Sequence, residues 1–209
     1  ILMILITPAS FAQRVLAETS FEAENIQAME IRGSFCNVII EKGSRNYVEG
    51  KIMGNGNPDN FRFESEISGD KLLLTVETRS NSWNSTRASE IIVTIASIKE
   101  LVVKNSSGNV EADALFADFM ELSSTSGNVE ATSLDAERLI IGSTSGNVYL
   151  EEITGNMRVK STSGNLELRQ IKGELEARTT SGNLRLRYFD GQTSLTSTSG
   201  NVTVANGKG

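Results

Sequence analysis

Thr125-Ser126-Gly127-Asn128-Val129-Glu130-Ala131 is one copy of a motif that decides the fold. Ser-Gly-Asn followed by Val or Leu occurs six times, at Gly108-Asn109, Gly127-Asn128, Gly146-Asn147, Gly164-Asn165, Gly182-Asn183 and Gly200-Asn201. Successive motif glycines lie 19, 19, 18, 18 and 18 residues apart. A near-fixed period of about 20 residues marks a solenoid, in which each repeat buries its apolar side only against its neighbours.

Aligned on the glycine, the repeats resolve into columns. Two residues after it lie Val110, Val129, Val148, Leu166, Leu184 and Val202, and four after it Ala112, Ala131, Leu150, Leu168, Leu186 and Val204. Five before it lie Val103, Leu122, Ile141, Val159, Ala177 and Leu195. The column seven before it is apolar from Leu101 to Leu175 and ends on Thr193. Spacing of two within each arm is the strand period, not the helical one. Each coil therefore holds two short strands, bent at Ser-Gly-Asn and again near Gly155, Gly173 and Gly191. Stacked coils set identical residues about 4.8 Å apart, so Ser, Thr and Asn columns can hydrogen-bond along the stack. At the bends, glycine and asparagine are expected to serve by accepting positive φ. Eighteen is also three hexapeptides, but the apolar columns do not recur every six residues, which argues against a left-handed hexapeptide helix. The expected fold is all-β: a single-stranded parallel β-helix, or β-solenoid, of 18–19-residue coils, with the right-handed form expected.

Residues 13–98 are less regular but carry strand-like runs at 26–32, 37–41, 47–53, 61–67, 71–77 and 90–95. They read as irregular β coils that cap the regular repeats of 99–209, within one continuous domain over 13–209. Residues 1–12 read as the remnant of a secretory signal: an apolar run, Ile1–Ile6, then small residues ending Ser10-Phe11-Ala12. Cleavage is expected near Ala12/Gln13, which places the mature chain outside the cytoplasm. The apolar run is too short for the ~20 residues of a membrane-spanning helix.

Composition narrows the chemistry. The 209 residues include no histidine and a single cysteine, which excludes imidazole-based triads, His-ligated zinc and an internal disulfide. Cys36 lies in an apolar run and reads as a small core residue. A net charge of −6 argues against a dedicated nucleic-acid binder. No cofactor or metal is expected, because the bends carry neutral residues where calcium-binding solenoids carry aspartate.

The iterated T-S-G-N-[VL]-x-[LA] coils, with their G-x-[LM]-x-[LVA] return strands, resemble the bacterial putative-adhesin family of β-solenoid domains, relatives of the GIN-type adhesin heads. The resemblance implies an extracytoplasmic protein without catalytic residues, and its motif consists of bend and core positions.

Three outward features remain as candidates for function. Glu111, Asp113 and Glu130 could pair as carboxylates, yet an open outer face lacks the cleft that splits two pKa values for glycoside hydrolysis. Charge also shifts along the chain. Residues 99–155 carry 3 basic and 10 acidic groups, whereas 156–209 carry 8 and 4. Within the basic part, Arg169, Arg185 and Arg187 cluster as a candidate site for an anionic polysaccharide or another surface protein. Trp83, in an Asn/Ser-rich stretch, is a candidate recognition loop. The reading that results is a non-catalytic adhesion or binding module. The alternative is a periplasmic scaffold whose coils stack end to end, and a weaker third reading is a polysaccharide-active enzyme.

Overall fold

The computed structural model describes residues 14–78 and 86–208. Among the described residues seventeen β-strands form one continuous sheet that coils on itself, with no α-helix and only a 3-10 turn at Pro58–Asn60. From the first repeat onward the strands are β8 (Glu100–Asn105), β9 (Val110–Asp113), β10 (Phe116–Ser124), β11 (Val129–Ser143), β12 (Val148–Ser161), β13 (Leu166–Lys172), β14 (Leu175–Thr179), β15 (Leu184–Asp190), β16 (Thr193–Ser197) and β17 (Val202–Lys208). Pairing is parallel and in register, with Val129 beside Val110 and Val148, and Leu166 beside Val148 and Leu184. The chain is a β-solenoid with the period its sequence carries.

The apolar columns fill the interior. Val110, Val129, Val148, Leu166 and Leu184 are each at most 1% exposed, and they belong to one continuous core that runs from Leu16 to Leu186. In the last coil the same positions are open, with Val202 at 42% and Val204 at 48% exposure.

The motif glycines work differently from the sequence expectation. None of the motif's glycines or asparagines has a positive φ. A Cβ on Gly146 would meet the Gly127 carbonyl oxygen at 2.0 Å, and one on Gly164 would meet that of Gly146 at 1.8 Å. Glycine is required there because successive backbones touch. Asparagine is required because its side chain builds a ladder: the Asn147 backbone N–H donates to Asn128 Oδ1 at 2.9 Å, and Asn165 to Asn147 Oδ1 at 2.9 Å. The ladder starts at Asn37, whose Oδ1 accepts from Asn109, and ends at Asn201.

A second ladder lies inside the bend, three residues before each glycine. Ser143 Oγ donates to the Gly127 carbonyl and accepts the Gly146 N–H, both at 2.9 Å. Asn105, Ser124, Ser161 and Thr179 occupy the same buried column. Among the described residues these five are the buried polar ones, and each donates to a backbone carbonyl of a neighbouring coil.

Positive φ occurs instead at the second bend, six residues past the motif glycine, in Ala114, Ser133, Glu152, Gln170, Tyr188 and Asn206. Three residues farther on, Gly155, Gly173 and Gly191 also have φ between 117° and 136°. This glycine accounts for the change of period. The 19-residue coil turns through Ala136-Glu137-Arg138, whereas the next coil turns through Gly155-Asn156, one residue fewer, with a register shift at that point.

The N-terminal region adds β1 (Arg14–Glu22), β2 (Ala28–Gly33), β3 (Asn37–Lys42), β4 (Tyr47–Gly54), β5 (Phe61–Ser68), β6 (Lys71–Thr78) and β7 (Thr86–Ile95). Its order in space is not its order in sequence. β2 lies between β6 and β8, and β3 between β7 and β9, all parallel. Beyond them β4 pairs antiparallel with β7, β1 with β4, and β5 with β6. Cys36 occupies the bend of this first coil, where its carbonyl accepts from Asn105 Nδ2 at 2.8 Å. Glu30, 13% exposed, ties β2 to β6 through Lys71 at 3.1 Å and also binds Arg32 at 2.7 Å. The Arg32 hydrogen bond, with help from Lys71, holds its carboxyl below the usual carboxylate range.

Candidate functional site

Because side chains alternate along each strand, every second residue of a coil faces solvent and joins an axial column there. The arm that follows Ser-Gly-Asn presents Glu111, Glu130, Tyr149, Glu167, Arg185 and Thr203 in one column. Beside it run Asp113, Thr132, Glu151, Arg169, Arg187 and Ala205.

This parallel register puts Arg169 beside Arg187, and Arg185 beside Glu167. Arg169 also meets Glu151 of the preceding coil, Nη1 to Oε1 at 3.3 Å, with side-chain exposures of 53% and 45%. An ion pair that exposed contributes only a few tenths of a kcal/mol and leaves the guanidinium available to a ligand. All three arginines of the cluster share one face.

Glu111, Asp113 and Glu130 also lie exposed on this face, two coils or more toward the other end. A shallow groove runs from one group to the other, lined by Glu130, Thr132, Tyr149, Glu151, Glu167 and Arg169 among others. Trp83 lies outside the described residues, as do residues 1–12.

A second outer face, on the arm that leads into the motif, did not emerge from the sequence. Ser106, Thr125, Thr144, Thr162, Thr180 and Thr198 line it beside Lys104, Lys160 and Arg178. Glu176 binds Arg158 at 2.8 Å and Arg178 at 2.6 Å, and the Arg158 hydrogen bond holds its carboxyl below the usual range. The signal was present as a hydroxyl two residues before each motif glycine, but it merged with the bend motif itself.

Among the described residues the lone thiol is also held off its ordinary state. Burial pushes Cys36 up to about 12, against an opposing hydrogen-bonding influence from Ser89. Among the described residues no group of three or more Cys, Asp or Glu side chains is arranged to hold a metal ion, and no helix is long and apolar enough to cross a membrane.

A parallel β-solenoid with polar, column-forming outer faces defines the class. The chain belongs to the Toastrack DUF4097 family, whose model matches residues 26–207. It is similar in fold to a putative adhesin from Bacteroides fragilis, at 14% identity and a TM-score of 0.56, over 90% of this chain and 95% of that one. It is also similar to a putative cell adhesion protein from Clostridium sporogenes, at 10% identity and a TM-score of 0.51, over 94% of this chain and all of the other. No curated protein sequence matches the chain.

Proposed function

We propose that this chain is a non-catalytic, extracytoplasmic binding module that engages an anionic surface polymer or an acidic surface protein through Arg169, Arg185 and Arg187. The observation that carries this reading is the strand register that places those three arginines on one open face. A face of that kind suits repetitive contact with an extended partner and offers no enclosed space for chemistry. The adhesion names of the two similar folds agree with it. The apolar run and small residues of 1–12 support export.

Replacing Arg169, Arg185 and Arg187 with serine tests the site. Retention on an immobilised anionic polysaccharide should fall at least tenfold and should weaken with added salt in the unsubstituted chain. Equal, salt-insensitive retention by both proteins would overturn the reading. Protease digestion on intact cells, compared with permeabilised cells, tests display: cleavage on intact cells supports adhesion, and protection until permeabilisation removes it.

The end-to-end scaffold rests on a separate observation. Among the described residues β17 pairs only with β15 and β16 only with β14, and Val202 and Val204 are exposed there. Charged substitutions at Val202 and Val204 should then abolish any filaments and leave polymer retention intact.

A further inference from the structure

The arginine face carries two opposite charges at opposite ends. Glu111 and Asp113 project from β9, with Glu130 beside Glu111 and Glu41 beside Asp113. Four coils along, Arg185 and Arg187 project from the same two columns. At ~4.8 Å per coil the separation is ~19 Å, more than twice the ~8 Å over which exposed charges feel each other at physiological salt. The two ends therefore cannot neutralise one another within one molecule. Among the described residues, none of Glu111, Asp113, Arg185 and Arg187 makes an ion pair, and the neighbours of both acids add like charge. Midway between them, Tyr149 is 40% exposed.

We infer that this face pairs with the same face of a second copy, the two solenoids running antiparallel about a two-fold axis through Tyr149. The inference rests on the reading of this face as the binding surface and names its acidic partner. A two-fold axis parallel to the strands reverses the order of coils and keeps each column facing itself. It sets Glu111 opposite Arg185 of the second copy and Asp113 opposite Arg187 of the second copy, each twice. It also stacks the two Tyr149 rings at the centre, where an interface gains most from an aromatic. The same register brings Glu130 toward Glu167 and the two Glu151 side chains toward each other beside the axis, costs lessened by Arg169, which pairs with Glu151 in the adjoining column.

The face is small. Six coils at ~4.8 Å each make it ~29 Å long, and four residues of strand make it ~13 Å wide, roughly 400 Å² per copy. That is about half the area of a standard interface, so association belongs to the weak, transient class. Weak contacts become effective when many copies are displayed on one surface.

The test is sedimentation equilibrium of the full chain at up to ~1 mM, in low salt and in 0.5 M salt. The expected result is dimer at low salt that disperses at least tenfold at high salt. Glu111→Arg with Asp113→Arg should be monomeric, as should Arg185→Glu with Arg187→Glu. Mixed in equal amounts, the two variants should associate again, because each supplies the charge that the other lacks. A monomeric wild-type chain throughout, association unchanged in either variant, or no recovery on mixing would overturn the inference. Polymer retention separates this result from the broader reading. The Glu111/Asp113 variant should retain anionic polysaccharide undiminished, and the Arg185/Arg187 variant should lose it. Self-association that fails while retention behaves in this way overturns the homotypic pairing alone.

Discussion

Ser143 shows how much of this fold rests on single atoms. Its buried hydroxyl donates to the preceding coil and accepts the Gly146 N–H of its own bend, so Ser143→Ala strands a carbonyl and an N–H together. The expected loss is about 1–3 kcal/mol, read as a lower midpoint in urea, whereas Ser143→Thr should be tolerated because Thr179 fills the same column. Glycines separate in the same way. Gly146→Ala drives a Cβ to 2.0 Å from backbone and should cost several kcal/mol. Gly69→Ala, at φ 63° with nothing within 4 Å, should cost only the ~1–2 kcal/mol of the left-handed region. The positions of these residues were legible in the repeat, but their physical roles were not. A repeated Gly-Asn is equally compatible with positive φ and with close stacking, and only the packed coils distinguish the two. Cys36 was legible as a core residue, and its state gives a pH dependence. Its folded pKa lies above the unfolded value of 9.0, at about 12, so the folded state holds a proton that the unfolded chain loses. Its contribution is therefore whole below pH ~9 and declines as pH rises toward 12, by up to ~1.4 kcal/mol per pH unit. Thermal melts of the native chain and of Cys36→Ala should diverge in slope above pH 9, and a thiol reagent at pH 8 should label Cys36 only on unfolding.

At the scale of elements, protection should follow position in the stack. β11 and β12 are covered on both sides, whereas among the described residues β16 and β17 have a neighbour on one side only, and Val202 and Val204 of β17 are exposed. Amide hydrogen exchange should therefore be slowest in the inward half of β11 and β12 and fastest in β17, with a graded series between them. Equal rates along the stack would mean that the coils open together. Asparagine substitutions should grade likewise. Asn147→Ala removes the acceptor for the Asn165 N–H and should lower stability by about 1 kcal/mol, whereas Asn201→Ala removes an acceptor with no donor among the described residues and should change little. The strands of 26–95 were legible as strands, because alternation is local. Their arrangement was not. Nothing in the alternation of Ala28–Gly33 says that this strand will lie between Lys71–Thr78 and Glu100–Asn105, because that choice depends on distant partners without a shared period. β1 went unread for a related reason: its alternation, with Leu16 its one fully buried residue, is too weak to mark a strand.

For the whole molecule, the repeat makes a strong claim about length. Removing residues 146–163 joins Ser145 to Gly164 and takes out one complete coil. Both ladders, both bends and every column remain in step, so the shortened chain should still unfold cooperatively with an unchanged β-type circular dichroism spectrum. Removing half as many residues from the same place turns inward residues outward and should abolish folding. The arginine cluster was legible at this scale as a drift of charge along the chain, and stacking turned that drift into a face. The Thr-lined face was not, since its hydroxyls read as part of the bend.

The two forms of the second bend extend this freedom. Coils that turn on Ala136-Glu137-Arg138 and coils that turn on Gly155-Asn156 sit side by side with only a local shift of register. A coil of either length can therefore follow a coil of the other, and an in-frame duplication of one repeat would cost the fold almost nothing. Each such event would move whatever lies beyond it by ~4.8 Å. Reach is thus a quantity that lineages bearing this fold can adjust in small, uniform steps, with the chemistry of each face carried along.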